Sequence, residues 1–334
     1  MHQRESRRAF SEDKVRKLRD LLTDAEARAK DKACVYATGS FGRGEASSHS
    51  DLDLFIVGRD CHEESTETKK RRSELPNLDE ICIKADLIRA TKHLQISDFS
   101  GDGEYLIHYS VSELVNTLGT RQDDILNTFT ARLLLLLESR PLVGDVVYSD
   151  VVKEVVLAYW RDYEDHKDDF LPAFLTNDIL RLWRTFCVNY EAGTDREPPE
   201  RKAKGKLKNY KLKHSRMLTC YSGILFLLNK YAVHRTVTPE DALEMTKLSP
   251  TERLENLQEE PSCIKAHATI ARLLDRYDRF LLLTDASEHE LLEKFSETSR
   301  SYFQEASEFG DSVADALAAI GTEQASRFYR LVIV

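Results

Sequence analysis

Thr38-Gly39-Ser40-Phe41-Gly42-Arg43-Gly44-Glu45, followed by Ser50-Asp51-Leu52-Asp53-Leu54, is the stretch that decides what kind of protein this is. Ala33-Cys34-Val35-Tyr36-Ala37 precedes it as a short run of strand formers, and Phe55-Ile56-Val57 extends the second acidic stretch into an apolar run suited to a buried strand. A strand ending at Gly39-Ser40 offers backbone N–H groups and a hydroxyl to a terminal phosphate, and Gly39 has no side chain to obstruct that approach. Asp51 and Asp53 are two residues apart, so on a strand both carboxylates leave the same face. Two carboxylates beside a phosphate cradle make a hard-oxygen site for Mg²⁺, or Mn²⁺ in its place, carrying a nucleoside triphosphate. Such an ion bridges phosphates, orients in-line attack and neutralises developing charge.

Neither half of the motif is informative alone. Gly39-Ser40 reads as a turn and Asp51-Leu52-Asp53 as solvated acids at a strand start. At this spacing, between two apolar runs, they point together to phosphoryl chemistry. Arg43 has two readings, one against phosphate and one paired with Glu45. His49 reads as loop surface.

The two-part motif resembles the signature of the DNA polymerase β-like nucleotidyltransferase superfamily. In its fuller form, Gly39-Ser40-Phe41-Gly42-Arg43-Gly44-Glu45 with Ser50-Asp51-Leu52-Asp53, it is most similar to bacterial protein uridylyltransferases that modify nitrogen-signalling proteins. The segment from Asn127 to Pro141 is similar to the helix that follows the catalytic domain in that group. The resemblance implies metal-dependent attack by an acceptor hydroxyl on the α-phosphate of an NTP, with pyrophosphate leaving. It also implies a third carboxylate on a later strand, able to take the acceptor's proton. Glu104, heading the strand-like Glu104-Tyr105-Leu106-Ile107-His108-Tyr109, is one candidate, and Asp86 is the other if residues 81–88 form that strand. Leu78, Ile81, Ala85 and Ile88 share a helical face, which favours a helix over 78–95 and takes Asp86 off any strand.

The 334 residues suffice for two domains, and a composition of 41% hydrophobic and 31% charged residues is that of a globular protein. Only 13 Gly and 8 Pro favour long helices over a turn-rich β protein. Beyond the motif, helical periodicity dominates at 123–138, 150–164, 174–191, 211–233 and 264–283, with weaker stretches at 239–258 and 287–318. The expected fold is α+β. A small mixed sheet with helices on one side occupies residues 1–120 as the nucleotidyltransferase domain, and an all-α domain occupies 121–334, with the site in the cleft between them.

A net charge of −9 excludes a globally basic nucleic-acid binder. Residues 201–216 nonetheless hold eight Lys and Arg in sixteen positions. Lys208 and Lys211, with Lys213 and Arg216, read either as cationic help for a triphosphate or an RNA acceptor, or as a solvated basic loop. Asn177, Asp178, Arg181 and Arg184 share a helix face as cleft residues or as a surface ladder. Trp183 and Phe186 read as core. Apolar runs such as Leu133–Leu137 fall far short of a membrane span, the N-terminus lacks a secretory core, and six scattered cysteines suit a reducing cytoplasm. A protein, RNA or small-molecule acceptor is left open. So are an NTP-sensing regulatory module and a toxin–antitoxin or defence partner without turnover.

Overall fold

The structure, a computed structural model, describes residues 2–61, 73–97, 99, 106–193, 199–297, 299–322 and 325–334. It divides into two compact units, one of residues Glu5–Ala158 and one of Met1–Arg4 with Tyr159–Val334.

The first unit is assembled from helices α1 (Gln3–Leu21) and α2 (Thr23–Ala29), strand β1 (Ala33–Thr38), the single turn α3 (Gly39–Arg43), strand β2 (Asp53–Gly58) and helix α4 (Asn77–His93). Strand β3 (His108–Ser110), helices α5 (Val111–Asn116), α6 (Gln122–Ile125) and α7 (Thr128–Glu138), strand β4 (Arg140–Val143) and helix α8 (Asp145–Tyr159) complete it. Among the described residues the strands form one mixed sheet in the order β3-β2-β1-β4. β1 runs antiparallel to both β2 and β4, and β2 parallel to β3.

Strand alternation sorts side chains to two faces. Ala33, Val35 and Ala37 of β1 and Leu52, Leu54 and Ile56 along β2 join Leu18 and Leu22 of α1, Ala25 and Ala29 of α2, and Ile83, Leu87 and Ala90 of α4 in one core. Tyr36 and Phe55 point the other way and stack with ring centroids 5.6 Å apart, and the Tyr36 hydroxyl donates to the Ala131 carbonyl of α7 at 3.5 Å. Helices therefore cover both faces of the sheet, not one. The apolar run Leu133–Leu137 makes α7 a buried helix.

Residues 78–95 do form a helix, but the Leu78–Ile81–Ala85–Ile88 stripe does not face the core. Leu78 is 75% and Ile81 54% exposed, while Ile83, Leu87 and Ala90 pack inward. Two apolar stripes lie on α4, and packing on the sheet selects the other one. The change to helical periodicity near residue 120 does not end the first unit either. β4 lies beyond it and pairs with β1, so α5–α8 belong with the sheet. Pro141 is accommodated because β4 is an edge strand.

The second unit is helical: α9 (Ala173–Ala192), α10 (Pro199–Lys211), α11 (Met217–His234), α12 (Pro239–Lys247), α13 (Pro250–Glu259), α14 (His267–Leu283), α15 (Glu288–Glu297), α16 (Ser299–Gly321) and α17 (Ser326–Ile333). Leu212–Arg216, between α10 and α11, is a π-helical turn. It buries His214 flat against Phe280, 4.8 Å between ring centroids, and beside Phe309. Burial pushes the His214 pKa down to about 4. No helix among the described residues is long and apolar enough to cross a membrane.

Candidate active site

β1 carries the chain from the core to Thr38, and α3 turns it back at the sheet's end. Gly39 adopts φ +63°, a left-handed conformation that costs other residues strain. A Cβ on Gly39 would lie 2.5 Å from Asp53 Oδ2, so the Asp53 carboxylate sits directly over the bare Cα. At Gly42 a Cβ would lie 1.9 Å from the Glu138 carbonyl oxygen, which is why the turn seats against the end of α7 only with glycine there.

Asp51 is extended and bridges Ser97, and Asp53 opens β2 directly opposite Thr38. Leu52 between them is 1% exposed and belongs to the core, whereas Asp51 is exposed and Asp53 half-buried. Asp51 and Asp53 thus leave the side of the chain opposite Leu52. Ser40, half-buried, follows Gly39 at the turn.

Of the two readings of Arg43, the structure shows the ion pair. Its guanidinium is buried, donating from Nε to Glu45 Oε2 at 2.8 Å and from Nη1 to Glu138 Oε2 at 2.8 Å. The second Glu138 oxygen accepts the Gly39 N–H at 3.1 Å. That amide, expected to meet a phosphate, is engaged by a side chain of the fold. Arg7 on α1 donates to the Glu45 carbonyl at 3.2 Å, and the Ser11 hydroxyl accepts the Ala46 N–H at 2.9 Å, tying the loop to α1 as well. Glu138 is the functional-region residue that sequence reasoning missed. The available signal was Arg43, a charge next to apolar strands that needed acidic partners.

Glu104 lies outside the described residues. Asp86 is on helix α4, which covers the core face of the sheet, opposite to Asp51 and Asp53. It pairs with Arg89 one turn on and is no third acid on a strand. β3 supplies His108, Tyr109 and Ser110 and no carboxylate; His108 is bound at 2.8 Å to Glu80. Among the described residues no group of three or more His, Cys, Asp and Glu is arranged to hold a metal. The Asp51–Asp53 donor set still fits Mg²⁺, which takes one or two carboxylates and fills its remaining positions with water and phosphate oxygens. Cys34 on β1 is no nucleophile, since burial pushes its thiol up to about 12.

Lys208 and Lys211 lie exposed on α10 in the second unit. Their neighbour Lys204 binds Glu288 at 2.9 Å. Glu288 is held below its ordinary pKa mainly by that bond, with Lys211 and Lys208 adding to the positive field. Arg216 stands over the Phe186 ring at 5.3 Å, and Trp183 meets Tyr221 edge-on. Arg181 and Arg184 line a groove with Asn177 and Val188 of α9 and Leu331 of α17. His49 is exposed, as read from the loop.

A family model described as a nucleotidyltransferase domain matches residues 18–92, from the last turn of α1 through β1, the Gly39 turn and β2 to the end of α4. The first compact unit therefore carries a nucleotidyltransferase domain, and the class of protein it defines is a transferase. Searches of curated proteins and of solved structures found no match.

Proposed function

We propose that this protein transfers a nucleoside monophosphate from an NTP to an acceptor hydroxyl, with Asp51 and Asp53 holding Mg²⁺ or Mn²⁺. One observation carries the reading: the two acids leave the same side of an extended segment, beside a turn whose Gly39 leaves no room for a side chain under Asp53. When bound, the ion supplies charge neutralisation for the triphosphate and its leaving pyrophosphate. Gly39 leaves its Cα bare for close approach, and Ser40 offers its hydroxyl to a phosphate. Arg43 stiffens the turn from beneath instead of touching phosphate. Glu104 is the proposed third acid, taking the acceptor's proton. Lys208 and Lys211 are proposed to add positive charge for the triphosphate or an RNA acceptor.

The acceptor class covers a protein, an RNA 3′ end or a small molecule. The motif's likeness to uridylyltransferases makes a protein acceptor and UTP the first pair to test, in a cytoplasmic setting that the free cysteines suit. A second reading, an NTP-binding regulatory module or defence partner without turnover, draws on the two-acid donor set among the described residues. Incubation with each labelled NTP, Mg²⁺ and cell extract tests the first reading. Mg²⁺-dependent label on one class of acceptor is the expected result. NTP binding without label transfer, unchanged by Glu104→Gln, selects the second.

A further inference from the structure

Thr38 is 1% exposed, and its hydroxyl oxygen finds no hydrogen-bond partner among the described residues. Two ordinary structural uses for that hydroxyl are open to it, and neither is taken. Thr38 is the N-cap of α3, where a threonine oxygen normally accepts an N–H from the first turn, yet the side chain makes no capping bond. It also ends β1, where a β-branched residue is favoured for shape alone and valine would serve without an unmet polar group. A buried hydroxyl lacking a partner costs free energy, so its retention needs a cause.

The register supplies one. Thr38 is paired across the antiparallel ladder with Asp53, and directly opposed residues project from the same face with Cβ atoms about 4.5–5.5 Å apart. Asp53 now holds one oxygen over Gly39. The neighbouring donor, Gly39 N–H, is taken by Glu138 and cannot orient the carboxylate. The Thr38 hydroxyl is the uncommitted donor across the ladder from Asp53, and it is enclosed, as a group acting behind a metal ligand can be.

We infer that Thr38 is a positioning residue for Asp53: when the divalent ion is bound, its hydroxyl donates to the Asp53 carboxylate and fixes which oxygen faces the ion. Carboxylate ligands are themselves generally hydrogen-bonded, and loss of such an outer partner weakens metal affinity by about 10–100-fold. The inference rests on the metal reading of Asp51 and Asp53 given above.

The test is Mn²⁺ titration of the full chain, followed by the electron paramagnetic resonance of the free ion, for wild type, Thr38→Val, Thr38→Ser and Asp53→Asn, with melting of each apoprotein alongside. Thr38→Val should bind Mn²⁺ at least about tenfold more weakly while melting at the wild-type temperature or above, because it discards an unmet hydroxyl. Thr38→Ser should restore affinity. A merely structural threonine would instead lower the melting temperature and leave affinity alone. Equal Mn²⁺ affinity in wild type and Thr38→Val, with Asp53→Asn impaired, overturns the role of Thr38 only. Equal affinity in wild type and Asp53→Asn overturns the metal reading, and the Thr38 inference with it.

Discussion

Two sets of polar groups meet at the end of this sheet, and they are handled in opposite ways. Beneath the cradle, Arg43, Glu45 and Glu138 are buried and answer one another's charge within 2.8 Å. Above it, Asp51 is exposed, Asp53 is half-buried and the Thr38 hydroxyl is unmet. The lower set is a brace of buried ion pairs inside the fold. Within this motif of glycines, acids and an arginine, Arg43 shapes the turn through buried ion pairs, and Asp51 and Asp53 are the acids proposed above to hold the ion.

The sharpest break between the sets is expected at Asp51. Asp51→Asn should lower turnover on the order of 1000-fold, about 4 kcal/mol of barrier, while the melting temperature stays within a degree or two of wild type. Retained activity in a label-transfer assay would remove Asp51 from the chemistry. In the brace the loss should fall on stability. Glu138→Ala leaves the Arg43 guanidinium with one carboxylate fewer and the Gly39 N–H unanswered, at a cost of about 3–5 kcal/mol in denaturant unfolding. A change below about 1 kcal/mol would mean the network is dispensable.

A buried ionisable group without a counter-ion gives the next largest effect. His214 packs between Phe280 and Phe309 and holds the Tyr210 carbonyl at 2.8 Å, with Arg276 opposing its protonation. Its folded pKa is depressed to about 4, so the unfolded chain takes up the proton first. The stabilisation is complete above about pH 6.5 and declines as pH falls toward 4, by at most about 3 kcal/mol. Over that window Tm should fall more steeply for the wild type than for His214→Phe; parallel curves would clear His214. The smallest effect belongs to the basic helix. If Lys208 and Lys211 contact an RNA acceptor, replacing both with Ala should flatten the slope of log K against log salt by about 1.4. If they contact the triphosphate, NTP affinity should drop instead. No change in either would leave them as partners of the Glu288 field.

What the sequence disclosed followed from the range of the contacts involved. Asp51, Leu52 and Asp53 alternate over three residues, and the strand period alone places them. Gly39 precedes a turn whose geometry is local. Glu138 lies 99 residues from Gly39, and no periodicity links them. The inward face of α4 is not legible locally because Leu78-Ile81-Ala85-Ile88 and Ile83-Leu87-Ala90 are both helical stripes, and only docking on the sheet tells them apart. β4 escaped notice because four residues containing a proline, directly after a helix, carry little strand signal. The first compact unit runs past the expected limit at 120, to Ala158, since the strand that returns to the sheet comes later.

The pairing of β1 with β4 also sets an order of events as the chain emerges. Val35 can find Ile56 as soon as some two dozen residues follow it, but its other neighbour, Val143, arrives only after more than a hundred. Closing the larger loop is the entropically slower step, and long-range pairings of this kind dominate folding times. Glu138 sits just ahead of β4 and reaches the cradle with it. A nascent chain that has passed residue 60 thus owns both aspartates but not the carboxylate that braces Gly39, so the cradle matures as a late event of synthesis, long after its own motif has been made.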